Sequence, residues 1–241
     1  MNGSLRTPKL YDFNLLILWL NTNHKTNIEL HQPDTSSMEK NGWLSGFFDA
    51  DGHFKIRLTE KKEILFNNFK KIKKGRLEVR ISLEQRKYHS KTNQPFQPVM
   101  EDIVKFFEGA CAARSAAEDF NNNLSNNKKL RESRHSKQGI DRYYWIIEIT
   151  SLPKLAKFVN YLNIYPLFSS KNNDFKDWYI VYKMMCNKEH LKLMAGSTFL
   201  KTKSELKDEN SNFISKIKII KANMNKNRIS FDWSHLDLLK K

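Results

Sequence analysis

The sequence predicts an α+β fold, an antiparallel sheet with helices packed on its other face. Three observations predict it. Residues 42–54, G-W-L-S-G-F-F-D-A-D-G-H-F, are a dense apolar run in which Gly46 and Ala50 lie four apart and so share one helix face. The pattern then switches from helical spacing to strict alternation, which marks strands. Amphipathic helical stretches recur between the strands, at residues 98–108 and 152–162.

In chain order, residues 12–21 carry Phe13, Leu16, Ile17 and Leu20 at helical spacing, with Pro8 just ahead of the helix start. Residues 21–37 are polar, contain Pro33 and read as a linker. The central helix follows. Trp43 with Phe47, and Leu44 with Phe48, are i, i+4 pairs that can anchor it in a core. Gly52 stands where a helix end favours a left-handed cap. Phe54, Ile56 and Leu58 then face one way and His53, Lys55, Arg57 and Thr59 the other. Residues 60–75 are lysine-rich, a loop or irregular hairpin. Residues 76–86 form a second alternating strand, with Leu77, Val79, Ile81 and Leu83 opposite Arg76, Glu78, Arg80, Ser82, Glu84 and Arg86. Gln85 falls on the apolar parity near its end. The polar face of these strands suits either solvent or a polyanion.

Val99, Ile103, Phe106 and Phe107 form the apolar side of a helix over residues 98–108, able to cover the sheet. Residues 109–140 give no clear period, apart from an Asn-rich loop at 121–127 and a basic run at 128–137. Residues 143–150 read as a third strand. Ser151 is an N-cap and Pro153 a first-turn residue for a helix over 152–162. Another helix enters through the turn P-L-F-S-S-K at 166–171. Phe213, Ile214, Ile217, Ile219 and Ile220 suggest a last one. The expected organisation is an N-terminal helix and linker over 1–40, a core over 41–186 and a basic extension over 187–241.

The 241 residues include 42 Lys and Arg against 26 Asp and Glu, a net charge of +16 that favours a polyanionic partner such as nucleic acid. With 16 Phe, 8 Tyr and 5 Trp, the chain can bury a core, which argues against wholesale disorder. No stretch approaches the roughly 18 apolar residues of a spanning helix, so a membrane is not an expected partner. Cys111 and Cys186 have no metal-type or redox spacing and suggest a reducing compartment. The start of the chain has no signal-peptide core, and Asp12 follows its two basic residues too soon to support a transit peptide. Heavy use of Asn, Lys and Ile is compatible with an A/T-rich organelle genome.

Asp49 and Asp51 sit at the end of the central helix, where the helix dipole is already negative. Two acids there need a reason, and a divalent cation supplies one. Residues 44–52, L-S-G-F-F-D-A-D-G, resemble the signature of the LAGLIDADG homing endonucleases, departing only at Ser45, Phe47 and Phe48. N-G-S-L-R-T-P-K at residues 2–9 resembles the connector between the halves of tandem-motif members, P-L-F-S-S-K resembles the entry to a half's closing helix, and F-D-W-S at 231–234 resembles family C-termini.

The resemblance implies a DNA-binding saddle, one half-domain of an organelle intron-encoded site-specific double-strand DNA endonuclease, with the mitochondrion its first setting and a chloroplast the other. It implies Mg²⁺ as cofactor and a paired centre to which each central helix delivers one carboxylate. Asp51 matches the metal-binding acid. Asp49, two residues earlier, points elsewhere and is structural, with metal contact its second reading; Gly52 is structural too. Gln85 matches a water-ordering strand-end position, and Lys171 the basic residue of the turn, placed to stabilise phosphate charge. Gly46, Phe47 and Ala50 form the helix-packing face. Arg57, Arg76, Arg80 and Arg86 suit phosphates or guanine edges, Lys55 and Lys61 suit phosphates, and His53 follows the motif closely enough to reach DNA. One motif copy is present where two are needed. The second comes from a homodimer partner or from a separate first half. An RNA-binding maturase that assists group I intron splicing, and an inactive split half, are the alternative functions.

Overall fold

The protein is described from a computed structural model, which covers residues 5–60, 62–66, 69–73, 75–108, 130–137, 140–190 and 203–240. Lys61, Cys111 and the Asn-rich stretch 121–127 lie outside the described residues. The helices are α1 (Leu10–His24), α2 (Trp43–Asp51), α3 (Gln97–Glu108), α4 (Leu152–Ile164), α5 (Lys171–Cys186) and α6 (Lys203–Ala222). The strands are β1 (Gly52–Thr59), β2 (Lys62–Phe66), β3 (Phe69–Lys73), β4 (Arg76–Arg86), β5 (Leu130–Lys137) and β6 (Ile140–Ile149). The main sheet is antiparallel with order β1-β4-β6-β5, and β2 with β3 forms a separate hairpin paired from Lys62 with Lys73 to Phe66 with Phe69.

The expected α+β class is therefore the observed one. The strand β5 was not legible as such. Its register runs from Leu130 opposite Ile147 to Lys137 opposite Ile140. Its sequence, L-R-E-S-R-H-S-K, lacks apolar alternation, so pairing with β6 rather than a buried face makes it a strand.

The chain divides into two compact units. The first comprises Met1–Gly52, Ser82–Ile149 and Ala156–Pro166. Its core brings α2, α3 and α4 together through rings. Phe48 meets Phe158 at 4.8 Å, Phe107 meets Phe158 at 5.7 Å and Phe106 meets Tyr161 edge-on at 5.3 Å. The apolar face expected of α3 is buried as expected, Val99, Ile103, Phe106 and Phe107 included. Each such side chain stabilises the fold by about 1.5–3 kcal/mol.

The second unit comprises His53–Ile81, Thr150–Leu155 and Leu167–Lys241. In β1 the alternation holds from His53 to Arg57, with Phe54 and Ile56 buried and His53, Lys55 and Arg57 exposed, and fades at Leu58 and Thr59, both half-buried. Phe54 packs against Phe175 at 5.5 Å and Trp178 at 5.3 Å, which ties β1 to α5. On α6, Phe213 and Ile217 are buried, and Ile219 is mostly exposed.

Candidate functional site

The start of α2 is tied down from outside the helix. Trp43 N donates to Asn41 Oδ1 at 3.0 Å. The Tyr161 hydroxyl accepts from Ser45 N at 3.2 Å and donates to Asn41 O at 2.7 Å. Ser45 Oγ donates to Pro166 O at 3.0 Å. These bonds satisfy backbone groups that a helix terminus leaves unpaired. Burial pushes the Tyr161 phenol above the usual tyrosine value, against the opposing pull of the Ser45 and Leu44 amides. Neither Tyr161 nor Ser45 was singled out from sequence, because a tyrosine more than a hundred positions downstream carries no local signal.

One face of α2, with Leu44, Ser45 and Phe48, is buried, whereas Gly46 and Ala50 are exposed. A β-carbon added to Gly46 would meet nothing within 4 Å. Phe47 is half-buried and stacks on Trp43 at 4.8 Å and 16°. The Arg6 guanidinium lies over Trp43 at 5.4 Å, itself held by Asp34 at 2.8 Å. Ser36 and Arg6 also keep the Asp34 carboxyl below its usual range, the Ser36 backbone N–H foremost.

Asp51 is the last residue of α2 and is half-exposed; Asp49 is likewise half-exposed. Gly52 corrects the expected cap. Its backbone is extended, with φ −80° and ψ 158°, and its N–H donates to Phe48 O. The chain passes straight from helix into β1. Glycine is needed there because a β-carbon would run into the buried Phe48 ring, not because the backbone is left-handed.

Gln85 is buried at the far end of β4, and its Oε1 accepts from Arg86 N at 3.1 Å. At the other end of the strand, Thr59 Oγ1 donates to Arg76 O at 3.2 Å. Stepping back along antiparallel neighbours from there brings the Gly52 end of β1 to the Leu83–Gln85 end of β4. Asp51 and Gln85 thus belong to the same unit and the same end of that strand pair. Lys171 belongs to the other unit, at the first position of α5, where its N–H donates to Ser169 Oγ at 3.1 Å.

Among the proposed DNA contacts, Lys55, Arg57 and Arg86 are exposed. Arg76 and Arg80 are not independent charges. Glu78, nearly buried between them, takes Arg76 at 2.5 Å and accepts from Arg80 Nε at 3.0 Å. The i, i+2 spacing of R-E-R on one strand face is the sequence signal for this clamp. Beyond it, Glu84 pairs with His135 of β5 at 2.7 Å, and Glu148 of β6 with Arg131 of β5 at 2.5 Å. Among the described residues, no group of three or more His, Cys, Asp or Glu side chains could hold a metal by itself. No helix among them is long and apolar enough to cross a membrane.

A family model for LAGLIDADG endonucleases matches residues 44–182, which contain the main sheet, α3 and α4, nearly all of α2 and most of α5. The chain belongs to the LAGLIDADG family. It is 26% identical to the intron-encoded DNA endonuclease aI3 of Saccharomyces cerevisiae over 248 aligned positions, covering 98% of this chain and 52% of that protein. It is 54% identical to the probable intron-encoded DNA endonuclease aI1 of Mycosarcoma maydis over 48 residues, 20% of this chain and 40% of that one. Among solved structures it is similar to the LAGLIDADG homing endonuclease I-GzeII in complex with its DNA target. The TM-score is 0.46 and the identity 16%, covering 83% of this chain and 49% of that one. The homing endonuclease I-TnaI gives a TM-score of 0.42 at 19% identity, with 81% of this chain and 92% of that one covered. The chain spans about half the length of the yeast relative.

Proposed function

We propose that this LAGLIDADG chain is one core of a site-specific double-strand DNA endonuclease that homes an intron, and that it works with a second core. The observation that carries the reading is the end of α2. A carboxylate, Asp51, stands at the tip of a helix whose Gly46–Ala50 face is left uncovered. Small residues on that face let a second helix approach closely, which would bring a second carboxylate beside the first.

One carboxylate from each core fits Mg²⁺, which keeps several waters and takes one or two carboxylates together with substrate phosphates. When bound, the ion supplies a nucleophilic water and relief of charge on the leaving oxygen. In this reading Asp51 holds the ion and Asp49 shapes the helix end. Gln85 orients the attacking water, its own carbonyl oxygen fixed by Arg86 N. Lys171 places a positive charge for the scissile phosphate. Lys55, Arg57 and Arg86, with Lys61, grip the DNA backbone, whereas Arg76 and Arg80 share their charge with Glu78. The Asn-, Lys- and Ile-rich sequence supports an organelle setting, the mitochondrion first.

The second reading is an RNA-binding maturase. A specific feature favours it: Phe231 and Trp233 are exposed and stack at 6.0 Å, and Trp233 stacks on His235 at 6.0 Å. Such a ladder suits unpaired bases. The test is to measure the mass in solution and incubate the chain, together with its second core, with Mg²⁺ and an intronless allele of its host gene. Double-strand cutting at one site, lost in EDTA, is the expected result. Tight binding to intron RNA without cutting would establish the maturase reading instead.

A further inference from the structure

The segment that follows α6 is fastened to the first turns of α5. Asp232 N donates to Asn173 Oδ1 at 2.9 Å, and Asn173 Nδ2 donates to Asp232 O at 3.0 Å. Arg228 donates to Asp174 Oδ1 through Nε at 3.1 Å and Nη2 at 2.9 Å, and to Asp177 Oδ2 at 2.5 Å. Asn225 N adds a bond to Asp174 Oδ1 at 2.9 Å. Lys176 pairs with Asp232 at 2.6 Å, and His235 Nε2 reaches Phe168 O at 3.2 Å. Asn173 and Asp174 are buried, and the Arg228 side chain is only 11% exposed. Burial works against the Arg228 charge, but Asp177 and Asp174 outweigh it and raise its pKa.

These anchors fall on both sides of Lys171. A lysine at the first position of a helix faces the positive end of the dipole, which disfavours it. Ser170 makes no side-chain capping bond. Asp174, the acid of the first turn, is engaged by Arg228 and Asn225 N. The turn has bonds of its own, from Lys171 N to Ser169 Oγ at 3.1 Å, Asn172 N to Ser169 O at 3.1 Å and Asn173 N to Ser170 O at 3.0 Å, and the segment from Asn225 to His235 adds a hold from outside.

We propose that Arg228 and Asn173 are positioning residues, which strap the C-terminal segment across the start of α5 and fix the turn that carries Lys171. The role of Lys171 rests on the endonuclease reading; the hold on its turn does not. The bonds to Arg228 are charge-assisted, and those to Asn173 form a reciprocal pair with backbone, so each variant removes a different part of the strap.

The test uses the full chain and compares wild type with Arg228→Ala, Arg228→Lys and Asn173→Ala. Three quantities are read: amide hydrogen exchange over residues 168–174, DNA affinity, and single-turnover cleavage across pH. Arg228→Ala should speed exchange in that turn, leave DNA affinity unchanged and slow cleavage by up to about 100-fold, as for a misplaced catalytic group. Arg228→Lys should restore part of both. Asn173→Ala, which keeps the ion pairs, serves if Arg228→Ala fails to fold. Unchanged exchange in the turn overturns the strap. Faster exchange with undiminished cleavage overturns its link to Lys171, as does a parallel loss of DNA affinity and cleavage that Arg228→Lys does not relieve. A wild-type chain that, together with its second core, cuts no DNA defeats the endonuclease reading, and the exchange measurement still decides the strap.

Discussion

A β-carbon on Gly52 would fall inside the van der Waals envelope of the Phe48 ring, so the link between α2 and β1 is set by one close approach. Gly52→Ala is expected to destabilise the chain by about 1–3 kcal/mol through overpacking, read by urea unfolding. Because the Gly52 backbone is extended, alanine adds no dihedral strain there. In a double-mutant cycle, Phe48→Leu should therefore recover much of the Gly52→Ala loss. Tyr161 acts on the other end of the same helix. Tyr161→Phe leaves Ser45 N and Asn41 O without their partner and should cost about 1–3 kcal/mol. Its titration gives a further check. Burial favours the neutral phenol, so the folded pKa lies above the unfolded value of 10. The stabilisation is complete below pH 10 and is lost as pH rises from 10 through the folded value. Phenolate absorbance against pH, with Tyr161→Phe as reference, reads this directly. The glycine was legible as special from its place in D-A-D-G, but its reason was not, because a ring four residues back reveals its rotamer only in the fold.

At the scale of elements, α2 presents its small residues outward. Gly46→Leu should raise intrinsic helix stability by about 0.5–1 kcal/mol, since glycine is the poorer helix former. It should also block close approach of a second helix. Sedimentation of the variant with its partner core should show pairing lost, although denaturation of the separate chain shows no loss of stability. The strand β1 offers the complementary test. Lys55→Ala and Arg57→Ala should each weaken DNA binding without regard to sequence, and each should lower the slope of log affinity against log salt by about 0.9. The strands β1 and β4 and the helices α3 and α4 were legible from periods of two or 3.6 in their apolar residues, and α5 from the resemblance of its entry turn. β5 was not, since nearly all its residues are polar and its strand character comes from β6. The Arg76–Glu78–Arg80 clamp lay in plain view as an alternating triplet, yet an acid nearly buried on a basic face runs against the expectation that such a face is solvated.

For the whole molecule, the family is established and the proposed activity rests on pairing. The chain carries one motif and spans 52% of the yeast relative, so the account needs a second carboxylate from another core. What was legible of the candidate site is its residue types and their places in the motif and the strand; that Asp51 and Gln85 fall in one unit comes from the fold. The strap around the Lys171 turn was invisible to sequence, because its partners lie more than fifty residues apart. The central claim is that Asp51 supplies this core's share of the metal centre. Its most direct test is single-turnover double-strand cleavage in Mg²⁺ by wild type and Asp51→Asn, each with its second core, with DNA affinity measured in parallel. Asp51→Asn is expected to bind the site as well as wild type without cutting it; cutting at the wild-type rate would overturn the role of Asp51.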